Sequence, residues 1–170
     1  MELLLGAGAS RSKLIGDPWT ELVTLDINPD HKPDVVWDLT KRPLPFAEGI
    51  FDEIHAYEVL EHLGQQGDWR AFFDEFSEWW RILKPGGLLC GTSPAPRSNW
   101  AWGDPGHTRI ISPECFTYLV QPEYTKQVGK GPMTDYRFVY TADFDTEMMD
   151  MDGDVFAYVL RAIKPSRITV

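Results

Sequence analysis

The sequence has few cysteines and lacks a long apolar run. Its 170 residues include two cysteines, Cys90 and Cys115, whose spacing matches no zinc or redox motif. Cys90 lies in the apolar segment "GGLLCGTS" and is predicted to be a small buried hydrophobic residue. No stretch approaches the ~20 apolar residues that a membrane span requires, and no leader pattern precedes the first strand pattern. We therefore expect a cytoplasmic protein that does not bind a membrane.

Positive charge is also scarce. The chain carries 16 Lys and Arg against 26 Asp and Glu, which gives a formal net charge of −10. Non-specific binding to nucleic acid needs a cationic surface that displaces counterions, so this balance argues against nucleic acid as a partner. The length is typical of one domain with a core of its own, and we expect residues 1–170 to form a single domain.

Short apolar segments at intervals along the chain predict an α/β fold. Five of them read as buried strands of a parallel sheet, at residues 2–6, 21–27, 34–38, 52–58 and 87–93. Two more strands are predicted near the C-terminus, at 135–144 and 154–163, joined by an acidic, methionine-rich connection at 143–154.

One amphipathic helix is indicated between the fourth and fifth strands. Its large apolar residues recur three or four apart, which predicts one buried stripe: Trp69, Phe72, Phe73, Phe76, Trp80 and Leu83. Asp68 is the expected N-cap, and "KPGG" at 84–87 is the expected stop. A second helix is predicted over 112–120, whereas 9–20 has room for only about two helical turns.

A glycine turn follows the first strand in "MELLLGAGAS". Gly6 and Gly8 match the first two positions of the dinucleotide fingerprint G-x-G-x-x-G, but Arg11 occupies the third. A phosphate loop of the G-x-x-x-x-G-K-[ST] type is absent from the sequence. An NAD-type oxidoreductase is therefore the less favoured alternative.

Two acids end the next strands. Asp26 closes the second strand, where a carboxylate can accept hydrogen bonds from both hydroxyls of a ribose. Asp38 closes the third strand, beside the apolar Leu39, and this pair can receive the amine and cover the ring of an adenine. These three strand ends suit a nucleoside without a pyrophosphate.

The order of these segments resembles the class I S-adenosylmethionine-dependent methyltransferases. The matching blocks are "LLLGAGAS", "LDINPD", "DLTKRPLPFAEGIFDEIHAYEVLEHLG", "RILKPGGLL" and "DPGHTRIISPECF". The resemblance implies a Rossmann-like, doubly wound sheet of about seven mostly parallel strands with the last strand antiparallel. It also implies S-adenosyl-L-methionine as cofactor and S-adenosyl-L-homocysteine as product.

The resemblance also assigns cofactor-binding residues. Those that match the family's motifs are Gly6, Ala7, Gly8, Asp26, Ile27, Asp38, Leu39 and Glu58. The sequence departs from the family pattern at Leu4 and Ser10. The helix that usually precedes the first strand and covers the site is absent, which implies an open cofactor pocket or a lid from a second subunit in a homodimer.

The candidate catalytic residues are His107, His62 and Arg109. His107 and Arg109 follow the fifth strand, where ligands bind in open α/β sheets. A histidine there can take a proton from a hydroxyl, and an arginine can bind a carboxylate or phosphate. Structural roles in the loop are the equally weighted alternative. Glu58, Glu61 and His62 are a trio able to hold a divalent ion, but a plain helix start is favoured, so no metal is expected.

These observations predict a methyltransferase that acts on a small-molecule or sugar-like acceptor. We expect the loop at 93–112, with Trp100 and Trp102, to reach that acceptor. The alternative from another class is a cofactor-binding module without catalytic activity, with a regulatory or assembly role.

Overall fold

A seven-stranded sheet forms the centre of the protein. In the computed structural model, which describes residues 1–169, its strands are β1 (Glu2–Leu5), β2 (Leu22–Asp26), β3 (Val35–Val36), β4 (Phe51–Tyr57), β5 (Leu83–Pro94), β6 (Phe144–Asp152) and β7 (Val155–Ala162). Their order is β3-β2-β1-β4-β5-β7-β6. Only β7 runs antiparallel to its neighbours β5 and β6. The predicted fold class, with the last strand antiparallel, is confirmed.

Most of the helices are short. The α-helices are α1 (Trp69–Ile82), α2 (Trp100–Gly103), α3 (Pro113–Phe116) and α4 (Gln121–Gln127). Single 3₁₀ turns lie at Pro29–His31, Leu60–His62 and Thr117–Leu119. Within residues 1–169, no helix combines the length and the apolar character needed to cross a membrane.

Helix α1 begins at the predicted cap and ends at Ile82, one residue before Leu83, so Leu83 and the predicted stop at 84–87 belong to β5 instead. The Asp68 side chain accepts a hydrogen bond from the Ala71 amide at 3.1 Å, which caps the first turn. Strand β5 follows α1 directly at Leu83. The buried apolar stripe of α1 differs slightly from the prediction. Trp79 is fully buried and Trp80 is only half-buried, because residues 76, 79 and 82 form the side of the helix that faces the sheet.

Two predictions of helix are wrong in extent. No helix forms between β1 and β2, where the structure has only turns and bends. The predicted helix at 112–120 divides into α3 and a 3₁₀ turn. Pro113 does occupy the first helical position, as its fixed φ favours.

The predicted strand at 135–144 is wrong, and β6 forms from the predicted connection instead. The amides of Val139 and Tyr140 both donate to the Tyr136 carbonyl at 2.9 Å, so that segment turns back on itself. The acids of β6 are tolerated because β6 is an edge strand, where charge blocks further pairing. Gly153, with φ +58°, and Asp154 form the two-residue turn to β7, a hairpin signal in the sequence.

The two faces of the sheet are covered differently. On one face, which we call the helix face, α1 packs over Leu3, Leu5 and Ile54 in one apolar core. Strand residues alternate between faces, so the residues between them point to the opposite face. We call that opposite face the strap face, because residues 7–21 cross it as an irregular strap.

A polar network holds the strap on its face. The Lys13 ammonium lies 2.7 Å from Glu53 and 3.3 Å from Glu2, and its side chain is 5% exposed. His55 Nε2 is 2.9 Å from Glu53, and His55 Nδ1 is 2.7 Å from the Tyr57 hydroxyl. That hydroxyl also accepts hydrogen bonds from two strap amides, at residues 14 and 15.

Candidate functional site

A cavity of about 340 Å³ opens at the carboxyl ends of β2, β1 and β4. These three strands are parallel neighbours, so their ends meet at one edge of the sheet. The cavity volume falls in the range of small-molecule sites. Six of the eight residues that the resemblance assigns to the cofactor line this cavity: Gly6, Asp26, Ile27, Asp38, Leu39 and Glu58.

The glycine turn forms one wall of the cavity. Gly6 and Gly8 have φ values of +57° and +55°, which side chains other than glycine rarely adopt. A Cβ on Gly6 would lie 2.8 Å from the Val59 side chain, so this position also requires the absence of a side chain. Ala7 is buried and lines a smaller adjoining cavity of about 160 Å³ together with Gly6 and Tyr57.

The Asp26 carboxylate is held by backbone amides at the end of β2. Its two oxygens accept from the Gly8 and Asn28 amides, each at 2.7 Å. Burial alone would raise the pKa of Asp26, but these two hydrogen bonds, with His31, keep it below the usual value. The carboxylate therefore stays ionised, and its remaining lone pairs can accept further donors.

Asp38 and Leu39 form the next wall of the cavity. Asp38 Oδ1 accepts from the Thr40 hydroxyl at 2.7 Å and from the Thr40 amide at 2.9 Å. The hydroxyl bond is the main reason that the pKa of Asp38 lies below its usual value. Leu39 is 8% exposed, so it presents a small apolar surface beside an ionised acceptor.

Glu58 stands at the tip of β4 in a strained backbone conformation. It is exposed and has a φ of +52°, in the left-handed region. Its amide donates to the Thr92 carbonyl at 2.9 Å, which fixes the turn. Strain of this kind concentrates at ligand sites.

Arg11, at the third position of the dinucleotide fingerprint, bonds to backbone carbonyls. Its guanidinium donates to the carbonyls of Gly8 at 2.7 Å and His31 at 2.9 Å. Arg11 thus ties the glycine turn to the turn that follows β2. These bonds engage N–H donors of the guanidinium that an anionic phosphate would need.

A second group of polar side chains lies beside the cavity. Glu61, His62 and His107 each offer a potential ligand atom, and these atoms lie within 4.8 Å of one another. The two imidazole centroids are 4.6 Å apart, and His62 also lines the cavity. Burial is the main reason that the pKa of Glu61 is raised to about 7. Sequence reasoning grouped Glu61 and His62 with Glu58; in the structure it is His107 that joins them.

Arg109 is buried beneath the same loop. Its Nη2 lies 2.6 Å from the Glu75 carboxylate of α1, and its Nε donates to the Leu60 carbonyl at 2.8 Å. Both side chains of the pair are at most 5% exposed. Arg109 does not line the 340 Å³ cavity; it fastens the loop to α1 and to the turn after β4.

Two exposed indoles and an aromatic pocket complete this edge of the molecule. Trp100 and Trp102 are 64% and 76% exposed, and the Trp100 carbonyl lies 2.8 Å from His107 Nδ1. A pocket of about 290 Å³, lined by Trp69, Tyr136 and other aromatic side chains, lies over the start of α1. Sequence reasoning missed this pocket because it treated the aromatic stripe of α1 as core alone.

The comparisons with known proteins agree with this geometry. Residues 5–91 match the sequence profile of a family described as "Methyltransferase domain". The chain belongs to this methyltransferase family. The match runs from the end of β1 into β5 and so includes every strand end that lines the cavity. No curated protein matches the sequence.

Solved structures of methyltransferases share the fold at low sequence identity. A SAM-dependent methyltransferase from Archaeoglobus fulgidus aligns over 94% of this chain and 85% of its own, with a TM-score of 0.59 and 16% identity. The N-methyltransferase NodS from Bradyrhizobium japonicum aligns over 96% and 85%, with a TM-score of 0.56 and 15% identity. The methyltransferase CalH, in complex with SAH, aligns over 95% of this chain and 51% of its own, with a TM-score of 0.57 and 14% identity.

The resemblance to class I S-adenosylmethionine-dependent methyltransferases is therefore confirmed, and with it the predicted cofactor class.

Proposed function

We propose that this protein transfers the methyl group of S-adenosylmethionine to a small-molecule or sugar-like acceptor. The observation that carries the proposal is the cavity at the ends of β2, β1 and β4, which joins a glycine turn to two ionised carboxylates. In this proposal Asp26 accepts the ribose hydroxyls, and Asp38 with Leu39 and Ile27 binds the adenine.

The methionine end of the cofactor is proposed to lie along the glycine turn. Gly6, Ala7 and Gly8 are free of bulky side chains, and Glu58 faces the same cavity from β4. An exposed carboxylate there suits the cofactor's amino group. The reactive methyl would then face the acceptor side of the site, which we assign to His62 and His107.

Methyl transfer of this kind depends mainly on alignment. The sulfonium is already a good leaving group, so holding the nucleophile and the methyl carbon in line supplies most of the acceleration. We propose that His62, His107 and the exposed Trp100 and Trp102 position the acceptor. We assign Arg109 to holding the loop, because its guanidinium is bonded to Glu75 and Leu60.

Calorimetric titration separates this function from the alternatives. We expect saturable binding of S-adenosylmethionine and S-adenosylhomocysteine and no binding of NAD. Tight binding of NAD alone would overturn the proposal. Saturable cofactor binding with no methyl transfer to a broad panel of acceptors would instead favour a binding module.

A pair of variants tests the ribose contact. Asp26→Ala should weaken cofactor binding about 100-fold, because two charge-assisted hydrogen bonds are lost. Asp30→Ala removes an exposed carboxylate from the same turn and should leave the affinity unchanged. Equal affinities in the two variants, with both folded by circular dichroism, would remove Asp26 from the site.

A further inference from the structure

The group formed by Glu61, His62 and His107 has features that methyl transfer alone does not require. Glu61 and His62 lie in the 3₁₀ turn after β4, and His107 lies in the loop after α2. The loop is fixed on the turn because the Thr108 amide donates to the Glu61 carbonyl at 2.8 Å. The fold therefore holds three potential ligand side chains together from segments far apart in sequence.

Both imidazoles are oriented by backbone carbonyls. His62 Nδ1 lies 3.1 Å from the Gly106 carbonyl, and His107 Nδ1 lies 2.8 Å from the Trp100 carbonyl. A carbonyl can only accept, so each Nδ1 carries a proton, and in the neutral ring Nε2 is the nitrogen with the free lone pair. Metal-binding histidines show this arrangement: one nitrogen donates to a carbonyl and the other binds the ion.

The Glu61 side chain is buried with one oxygen unsatisfied. It is 1% exposed, and Oε2 accepts from the Ser93 hydroxyl at 3.0 Å. Oε1 is buried and has no hydrogen-bond partner within residues 1–169. A carboxylate oxygen in that position is costly unless a positive group faces it. A cation held between this carboxylate and the two imidazoles would supply that group.

We propose that Glu61, His62 and His107 form a site for a divalent transition-metal ion. Ligand atoms in such sites lie about 3–4 Å apart, so the atoms of the 4.8 Å group must approach one another by about 1–2 Å, through side-chain rotation, to close around an ion. Two imidazoles and one carboxylate suit Zn²⁺, Mn²⁺ or Fe²⁺, whereas Mg²⁺ and Ca²⁺ prefer oxygen ligands alone.

The three protein ligands leave a coordination position open, as in catalytic metal sites. His62 belongs to both the ion site and the 340 Å³ cavity, so the two share an edge. This part of the inference rests on the proposed function: the open position would bind an oxygen atom of the acceptor. Acceptors with a hydroxyl group that can bind the ion are then the expected substrate class.

Titration of the full chain with ZnCl₂, MnCl₂ or MgCl₂, without cofactor, tests the site. We expect one Zn²⁺ per chain, weaker binding of Mn²⁺ and no binding of Mg²⁺. Addition of CoCl₂ should produce visible absorption bands typical of bound Co²⁺ with a low coordination number. Glu61→Gln and His107→Asn should each weaken Zn²⁺ binding at least about tenfold. His107 is only half-buried, so its variant remains informative if Glu61→Gln does not fold.

Glu21→Gln is the matched control. It removes an exposed carboxylate just before the start of β2, at the end of the parallel strands opposite the site, and it should leave Zn²⁺ affinity unchanged. Absence of stoichiometric Zn²⁺ binding, or equal affinity in His107→Asn and the unmodified chain, would overturn the proposal. A loss of Zn²⁺ affinity in Glu21→Gln without a loss in His107→Asn would also overturn it. Because the titration needs no cofactor, failure of the ion site and failure of cofactor binding are separate results.

Discussion

The two faces of the sheet are stabilised by different interactions. The helix face is mainly apolar: Phe76 and Trp79 of α1 are fully buried against the strands, and the charged Glu75 is buried as the partner of Arg109. The strap face instead buries Glu2, Lys13 and His55 in a connected polar network. The comparison shows that a strand–strand connection without a helix can cover a sheet, provided that its buried charges are paired and its amides find acceptors.

Residues of the strap face also line the smaller cavity beside the glycine turn. The strap begins in the glycine turn, and Tyr57, which holds the strap amides, lines the small cavity next to that turn. The polar network therefore anchors the segment that follows the glycine turn, whereas the helix face is held by apolar burial.

The largest effect is expected on the helix face. Phe76→Ala should lower the free energy of unfolding by about 3–5 kcal/mol, because a fully buried phenyl ring between Trp79 and Phe116 is lost. Urea denaturation measures the change. Asp74→Ala, at an exposed position of α1, should shift stability by no more than about 0.5 kcal/mol. A similar small shift for Phe76→Ala would contradict the comparison.

The buried ion pair of α1 should give the next effect. Arg109→Met leaves Glu75 buried without its partner and should cost about 3 kcal/mol at pH 8. Burial already raises the pKa of Glu75, so the lone carboxyl takes up a proton more readily at lower pH and the cost should shrink at pH 6. Adding Glu75→Leu should recover part of the loss. If Arg109→Met leaves stability unchanged but slows methyl transfer, Arg109 instead has the acceptor-binding role that the sequence predicts.

A smaller effect is expected on the strap face. Tyr57→Phe removes the acceptor of the Leu14 and Ile15 amides and should cost about 1–3 kcal/mol. Hydrogen exchange should show faster exchange at these two amides, while the amides of α1 keep their protection. Uniform loss of protection in both regions would mean that the two faces are not separable.

The smallest effect concerns pH. Desolvation by burial lowers the pKa of His55 from its usual value of 6.5, although Glu53 opposes this. The folded state therefore binds fewer protons than the unfolded state, and stability present above pH 6.5 is lost as the pH falls towards the folded pKa. Lys13, Glu2, Glu53 and Tyr57 face the imidazole.

The pKa of Glu53 is also below its usual value. Its titration therefore also makes the free energy of unfolding fall as the pH decreases, but at a lower pH than the titration of His55. Measuring the free energy of unfolding between pH 8 and pH 5 in the unmodified chain and in His55→Gln isolates the histidine. The slope between pH 7 and pH 6 should become shallower in the variant. Equal slopes would show that His55 does not set this part of the pH dependence.

Much of the fold was predictable because its signals are local. The apolar period of α1, the Asp68 cap and the buried parallel strands each follow from neighbouring residues. The edge strand β6 was not predicted, because exposed acids and methionines lack an apolar alternation and pairing with β7 decides its structure. The irregular strap was not predicted either, since its acceptor Tyr57 lies more than 40 residues away.

The sequence by itself determined the glycine turn, the two acids at the strand ends and the family of this protein, because these depend on residue type at fixed local spacing. Only the tertiary structure decided that Arg109 pairs with Glu75 and that His107, rather than Glu58, joins Glu61 and His62. Those contacts join distant segments through loop conformation, and loop conformation follows from hydrogen bonds that no local pattern encodes.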